Sequence, residues 1–180
     1  MDFNDSVKFM RFFAGLADKI FGKTFTGIPT HVIYTRKEPI GVVALISPWN
    51  FPFMMCIWKM MPALAAGNCV ISKPSEITPL SQLFLGQLIK EAGFPPGVVN
   101  IIPGYGQTVG NYLSHHPRIG KISFTGSTGV GRLIMKASAD SNLKKVSLEL
   151  GGKSPILVFA DADMKKAVEE VFLGAFFNSS

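Results

Sequence analysis

Two cysteines in 180 residues, Cys56 and Cys69, are too few and too far apart for a disulfide framework or a CxxC metal site. Each lies in apolar surroundings that suit a buried free thiol in a reducing compartment. His31, His115 and His116 show no ligand spacing with Cys, Asp or Glu, so no metal site is expected. Long hydrophobic runs are lacking as well. The longest, Phe51 to Gly67, is broken by Pro52, Lys59 and Pro62 and falls short of the roughly 20 residues that span a bilayer, so no transmembrane helix is expected. Charge is scarce at 17% of residues, and the net +6 is dispersed, its densest groups being pairs such as Arg36-Lys37, Lys144-Lys145 and Lys165-Lys166. Nucleic-acid binders concentrate that charge on one face, so the expectation is no nucleic-acid partner and a mild preference for small anions. The opening Met1-Asp2-Phe3-Asn4-Asp5 carries acid where a secretory or mitochondrial leader carries base. The expected location is cytoplasmic, a mitochondrial one staying open should the native N-terminus lie upstream. There is no internal repeat and no low-complexity segment.

With 47% hydrophobic residues, the chain can build one sizeable core with attached arms. From Ser6 to Phe21 the residues Phe9, Phe12, Phe13, Leu16, Ala17 and Ile20 recur at three- and four-residue steps, which predicts a helix stopped by Gly22. Lys23 to Glu38 alternates apolar and polar residues around Gly27 and Pro29 and reads as an extended arm or hairpin. Strands are expected at Gly41 to Ser47, Cys69 to Lys73, Val98 to Ile102, Lys121 to Thr125 and Val146 to Leu150, mostly as short apolar runs covered on both faces. Helices are expected at Pro79 to Ala92, Gly106 to Ser114 and Val130 to Ala139. The first of these carries Leu80, Leu83, Phe84, Leu88 and Ile89 on one face, Thr78 as N-cap and Gly93 past its end. This alternation predicts a doubly wound parallel α/β sheet, whose ligands bind beyond the carboxyl ends of the strands. A further strand, Ile156 to Phe159, then leads through Asp161-Ala162-Asp163 into a helix with Met164, Ala167, Val168, Val171, Phe172, Ala175 and Phe176 in helical period, the start of a second α/β domain.

The chemically suggestive residues fall where strands run into loops. In Pro48-Trp49-Asn50-Phe51-Pro52 the two prolines restrict the backbone around Asn50, whose amide N–H could stabilise an oxyanion; a turn asparagine bonded to its own backbone is the other reading. Lys73 and Glu76, in Ser72-Lys73-Pro74-Ser75-Glu76, could bond the two hydroxyls of a ribose, or form a solvated turn before a helix. The run Pro103 to Gly110 has the spacing G-x-G-x-x-x-G, one residue longer than the dinucleotide fingerprint. Gly126-Ser127-Thr128-Gly129-Val130-Gly131, between a strand and a helix, offers helix-start N–H groups and the Ser127 hydroxyl to a phosphate, or is a flexible connector. Glu149 alternates with Leu148 and Leu150 before Gly151-Gly152. It reads as an acid/base group at the tip of a covered strand, where burial is costly and the glycine pair allows close approach, or as an edge glutamate paired with Lys153.

These motifs, in this order, resemble the NAD(P)-dependent aldehyde dehydrogenases from the first helix to the last residue. The resemblance implies a Rossmann-like cofactor-binding domain with an N-terminal helix and arm. It implies that Asn50 stabilises the tetrahedral oxyanion, that Glu149 activates water for thioester hydrolysis, and that Lys73 and Glu76 hold the adenosine ribose of NAD, with NADP possible. Trp49, Gly106, Gly126, Ser127, Gly131 and Leu150 match cofactor-site positions, Ser127 near the pyrophosphate. The implied division is 1–22 as N-terminal helix, 23–39 as an oligomerisation-type arm, 40–151 as the dinucleotide-binding domain and 152–180 as the start of a catalytic domain. The nucleophilic cysteine of that family is expected a few residues past Ser180, which stands where a glycine is usual, and neither Cys56 nor Cys69 matches it. The complete enzyme would oxidise an aldehyde to a carboxylic acid as a homo-oligomer, this chain alone being inactive; a non-catalytic truncated product that binds nucleotide or pairs with full-length subunits is the alternative.

Overall fold

The computed structural model describes residues 2–179; Met1 and Ser180, including the reading of Ser180 at a usual glycine position, lie outside them. The chain runs α1 (Asp2–Ala14), β1 (Thr24–Phe25), β2 (Ile33–Tyr34), β3 (Val42–Ile46), α2 (Met54–Ala65), β4 (Cys69–Lys73), α3 (Leu80–Glu91) and β5 (Val99–Ile101). A single π turn at Gly106–Gly110 then leads into α4 (Asn111–His115), followed by β6 (Lys121–Thr125), α5 (Thr128–Asp140), β7 (Lys145–Glu149) and α6 (Met164–Phe176).

β3 to β7 form one parallel sheet in the order β5-β4-β3-β6-β7, with β1 and β2 a separate antiparallel pair. The sheet grows outward from β3 in both directions, and the point where it changes direction, between β3 and β6, is where a doubly wound fold opens a crevice. Because side chains alternate along a strand, β3 supplies two cores at once. Val43 and Leu45 join Cys56, Ile57 and Met60 of α2, Val70 of β4 and Leu85 of α3 on one face. Ala44 and Ile46 join Ile122 and Phe124 of β6, Leu113 of α4 and Ile134 of α5 on the other.

Several elements differ from expectation, each for a local reason. α1 ends at Ala14 instead of Phe21, since at Gly15 the chain tightens, Leu16 N–H bonding the Phe13 carbonyl at 3.1 Å. The broken apolar run Phe51 to Gly67, weighed in sequence only against a bilayer, contains the helix α2, with Pro62 inside its C-terminal end. No side chain of its own start caps α2; instead Asp2 of α1 accepts the N–H groups of Phe53 and Met54 at 3.4 and 2.7 Å. α3 buries Gln82 and Leu85; of the residues expected on one face, Ile89 packs against the core while Leu80 and Phe84 stand largely in solvent. Thr78 does not cap it, but Gly93, at φ +81°, ends it in a Schellman motif through Gly93 N–H to Lys90 and Phe94 N–H to Ile89.

The strand expected at Ile156 to Phe159 is irregular backbone that pairs with no strand among the described residues; Ile156 rests against α6 at Gly174. α6 begins, as expected, at an Asp163 cap accepting from Lys165 and Lys166 N–H, and its apolar face is exposed, Phe172 at 65% and Phe176 at 70%. No helix among the described residues is long and apolar enough to cross a membrane.

Candidate functional site

Two cavities of about 750 Å³ each flank the sheet, the first running along one face from Lys121 and Asn68 to Asn50 and Glu149, the second at the carboxyl ends of β3, β4 and β6. Thr125, the last residue of β6, lines both.

The first lies between α2 and the face of β6 and β7 opposite the Phe124 core. Strand alternation gives that face Lys121, Ser123 and Thr125 from β6 and, in register, Ser147 and Glu149 from β7. Asn50 and Leu150 complete it beside Glu149. Leu148 and Leu150 pack toward the α5 core, so Glu149 does point opposite to them. Its strand, however, is an edge strand with this face uncovered, and Glu149 is exposed, so its carboxylate bears no cost of burial. Nor do the glycines after it make a close approach: an added Cβ at Gly152 would meet nothing within 4 Å and at Gly151 only Thr128 Oγ1 at 4.0 Å.

Lys59 of α2, a residue that sequence reasoning passed over, reaches into this cavity and donates to Thr125 Oγ1 at 2.6 Å. Burial pushes the Lys59 ammonium below the ordinary lysine range, while the negative charge of Glu149 pulls the other way. Its only signal in the sequence was being the one charge in the run Phe51 to Gly67. The Asn50 turn is held by the turn just past α6: Asn178 donates its amide to the Asn50 carbonyl, and Phe51 meets Phe177 with ring centres 6.0 Å apart.

The second cavity gathers Trp49, Lys73, Glu76, Gly106, Gly126 and Ser127. Lys73 is 2% exposed and donates to the Pro74 carbonyl at 2.9 Å and to Glu76 Oε2 at 3.4 Å. The Glu76 carboxyl is held below its usual value, chiefly by a hydrogen bond to its own backbone, with Lys73 adding to the effect and partial desolvation opposing it. Across the cavity Ser127 caps α5, its hydroxyl accepting the Val130 N–H at 3.3 Å. This leaves the N–H groups of Thr128 and Gly129 at the positive end of a 13-residue helix. Gly126 is required sterically, since a Cβ there would sit 2.5 Å from Phe124 Cζ. Gly131 is not in the cavity wall: it is buried behind it, where a Cβ would fall 2.7 Å from Leu150 Cδ2. Leu150 itself lines the Glu149 cavity and not this one.

The neighbouring cavities offer distinct chemistry, an amide and a carboxylate with a lysine between sheet and helix in one, a helix start and a lysine–carboxylate pair in the other. The model of the Aldehyde dehydrogenase family matches residues 1–180. Retinaldehyde dehydrogenase 3 from Homo sapiens is 57% identical over 178 residues, 99% of this chain and 35% of that protein. Aldehyde dehydrogenase 1A1 from Gallus gallus is 56% identical over the same length and share. Among solved structures, PnpE from Pseudomonas sp. WBC-3 superposes with a TM-score of 0.94 at 51% identity, over 99% of this chain and 36% of that one. The NAD+ complex of an aldehyde dehydrogenase from Bacillus cereus superposes at 0.95 with 47% identity, over 98% of this chain and 36% of its own. The chain thus spans about a third of the length of these relatives.

Proposed function

Since this chain belongs to the aldehyde dehydrogenase family, we propose that its two cavities are the cofactor and reaction halves of an NAD-dependent site that oxidises an aldehyde to a carboxylic acid in the native-length protein. The observation that carries this reading is the position of Thr125 in both walls, which sets the Asn50–Glu149 cavity directly beside the Ser127–Glu76 one.

The second cavity suits a dinucleotide by its own chemistry. The α5 start presents unpaired N–H groups for a pyrophosphate, and the Lys73–Glu76 pair at the far side presents a donor and an acceptor to ribose hydroxyls. The anion at Glu76 disfavours an added 2′-phosphate, which supports NAD over NADP. NAD held there by the α5 start and the Lys73–Glu76 pair would supply a hydride acceptor for the aldehyde carbon.

In the first cavity the Asn50 side-chain amide faces the reacting carbonyl oxygen and stabilises the negative charge that develops on it. Glu149, solvent-reached at the edge strand, removes a proton from attacking water. Lys59 supplies a nearby positive charge and fixes Thr125. Neither cysteine of the chain serves as nucleophile in this reading. Cys56 is buried with its thiol pushed up to about 11 by desolvation, and Cys69 opens β4, at the amino end of the sheet. We assign the nucleophile to a part of the protein outside residues 1–180. The exposed Phe25, Ile33 and Tyr34 of the β1–β2 arm support a role for it in subunit contact.

Kinetics on the native-length protein test the reading. Glu149→Gln should lower turnover by roughly 10²–10⁴, and Asn50→Ala by about 10²–10³, with NAD affinity nearly unchanged in both. Wild-type turnover in either folded variant would refute the assignment.

A further inference from the structure

Gln82, on the buried side of α3, is fully enclosed and uses both ends of its amide on the two loops that carry the proposed site. One end faces the Pro52 carbonyl at 2.9 Å and the other the Ser72 hydroxyl at 2.9 Å. A carbonyl only accepts, so the amide nitrogen must face Pro52 and the amide oxygen must face Ser72. Ser72 therefore donates to Gln82, which leaves the Cys56 thiol, 3.5 Å away, as the donor to Ser72 Oγ. The result is a one-directional chain from Cys56 of α2 through Ser72 of β4 and Gln82 of α3 to Pro52. Pro52 stands two residues after Asn50, and Ser72 immediately precedes Lys73. Proline at 52 has no N–H, and the turn is also held by Asn178 at the Asn50 carbonyl, Met55 N–H at the Phe51 carbonyl and Asp2 at the Phe53 N–H; the Gln82 bond is its side-chain link to α3 and β4.

We propose that Gln82 is a positioning residue for the oxidation, locking the Asn50 turn to the strand end that carries Lys73 so that the two cavities keep a fixed separation. The proposal rests on the reading of Asn50 given above. An amide displaced by about 1 Å loses on the order of 10²-fold in rate, whereas the cofactor contacts from Ser127, Lys73 and Glu76 do not run through Pro52.

The test uses the native-length protein with Gln82→Met, which keeps the volume and removes both bonds. Hydrogen–deuterium exchange read by mass spectrometry should rise in the segment 48–53, and kcat/KM for aldehyde at saturating NAD should fall about ten- to hundredfold, with the NAD dissociation constant within about twofold of wild type. Ser72→Ala, which severs the β4 end of the tether and leaves the Pro52 bond in place, should raise exchange at 48–53 and lower kcat/KM, each by less than Gln82→Met does. If Gln82→Met does not fold, Gln82→Leu likewise removes both bonds, and the same exchange and rate changes are expected. Unchanged exchange in a folded variant overturns the tether, and faster exchange with unchanged turnover overturns its role in positioning Asn50. A wild type that oxidises no aldehyde defeats the functional reading instead, and the exchange measurement then decides the tether alone.

Discussion

Lys59 Nζ donates to Thr125 Oγ1 at 2.6 Å, and Thr125 stands in register opposite Glu149 on the neighbouring strand. A helix cation is thereby brought to the rim of a sheet whose edge carries the candidate base.

Replacing this cation should separate stability from activity. Lys59→Met removes a partly buried charge and keeps the aliphatic stem, so its melting temperature should be equal to or above that of wild type, while aldehyde turnover falls by about tenfold or more. The pH dependence has a definite sign. Burial lowers the folded pKa of Lys59 below its unfolded value, so between the two the unfolded chain binds more protons and stability rises with pH. Denaturant titrations from neutral pH upward should show that rise in wild type and lose this part of it in Lys59→Met.

Glu76 gives the opposite window. Its folded pKa is depressed, so its contribution is present above the ordinary carboxylate range and fades as pH falls through the lower folded value. Glu76→Gln should flatten the acid side of the stability curve. In the native-length protein it should also narrow the preference for NAD over NADP, as read from the ratio of the two specificity constants; an unchanged ratio would separate Glu76 from cofactor choice.

The two thiols should react unequally. Cys56, with its pKa pushed from 9.0 to about 11 inside the α2 core, should resist a disulfide reagent in the folded protein up to about pH 9, while Cys69 is modified first. Because the folded value is the higher one, the contribution of Cys56 to stability is intact below pH 9.0 and is lost toward about 11. Counting modified thiols by mass spectrometry against time measures both.

Gly126→Ala would place a methyl 2.5 Å from the ring of Phe124, which is itself 6% exposed and cannot withdraw. The expected cost is about 1–3 kcal/mol in denaturant unfolding. Phe124→Leu in the same chain should recover part of it, a non-additive pair that identifies the ring as the obstacle.

The strands of the sheet were legible in sequence because each is an apolar run bounded by turn residues, and Cys69–Lys73 and Lys121–Thr125 were read to the residue. Strand ends then located Asn50, Lys73, Ser127 and Glu149 without any knowledge of neighbours. What escaped was set by tertiary packing. α2 is apolar nearly all round, so no periodicity marked it, and Lys59 was hidden with it. α3 has a clear apolar stripe in sequence, yet it buries Gln82 because Pro52 and Ser72 satisfy its amide. The division of the site into two cavities depends on which strand faces are covered, and no single segment encodes that.

The strand order has a consequence for how the molecule assembles. β4 and β5 reach their places beside β3 through short excursions of chain, but β6 must return past both to pair with the other side of β3, Val43 meeting Lys121 and Ile46 meeting Phe124. That contact closes the longest loop in the sheet and carries its largest entropic penalty. Thr125, Gly126 and Ser127 sit at its end, so the wall shared by both cavities comes into being only when this most distant pairing closes. A nucleotide bound against Ser127 would act as a clasp on that closure, and protection gained on binding should be greatest in β6 and the first turn of α5.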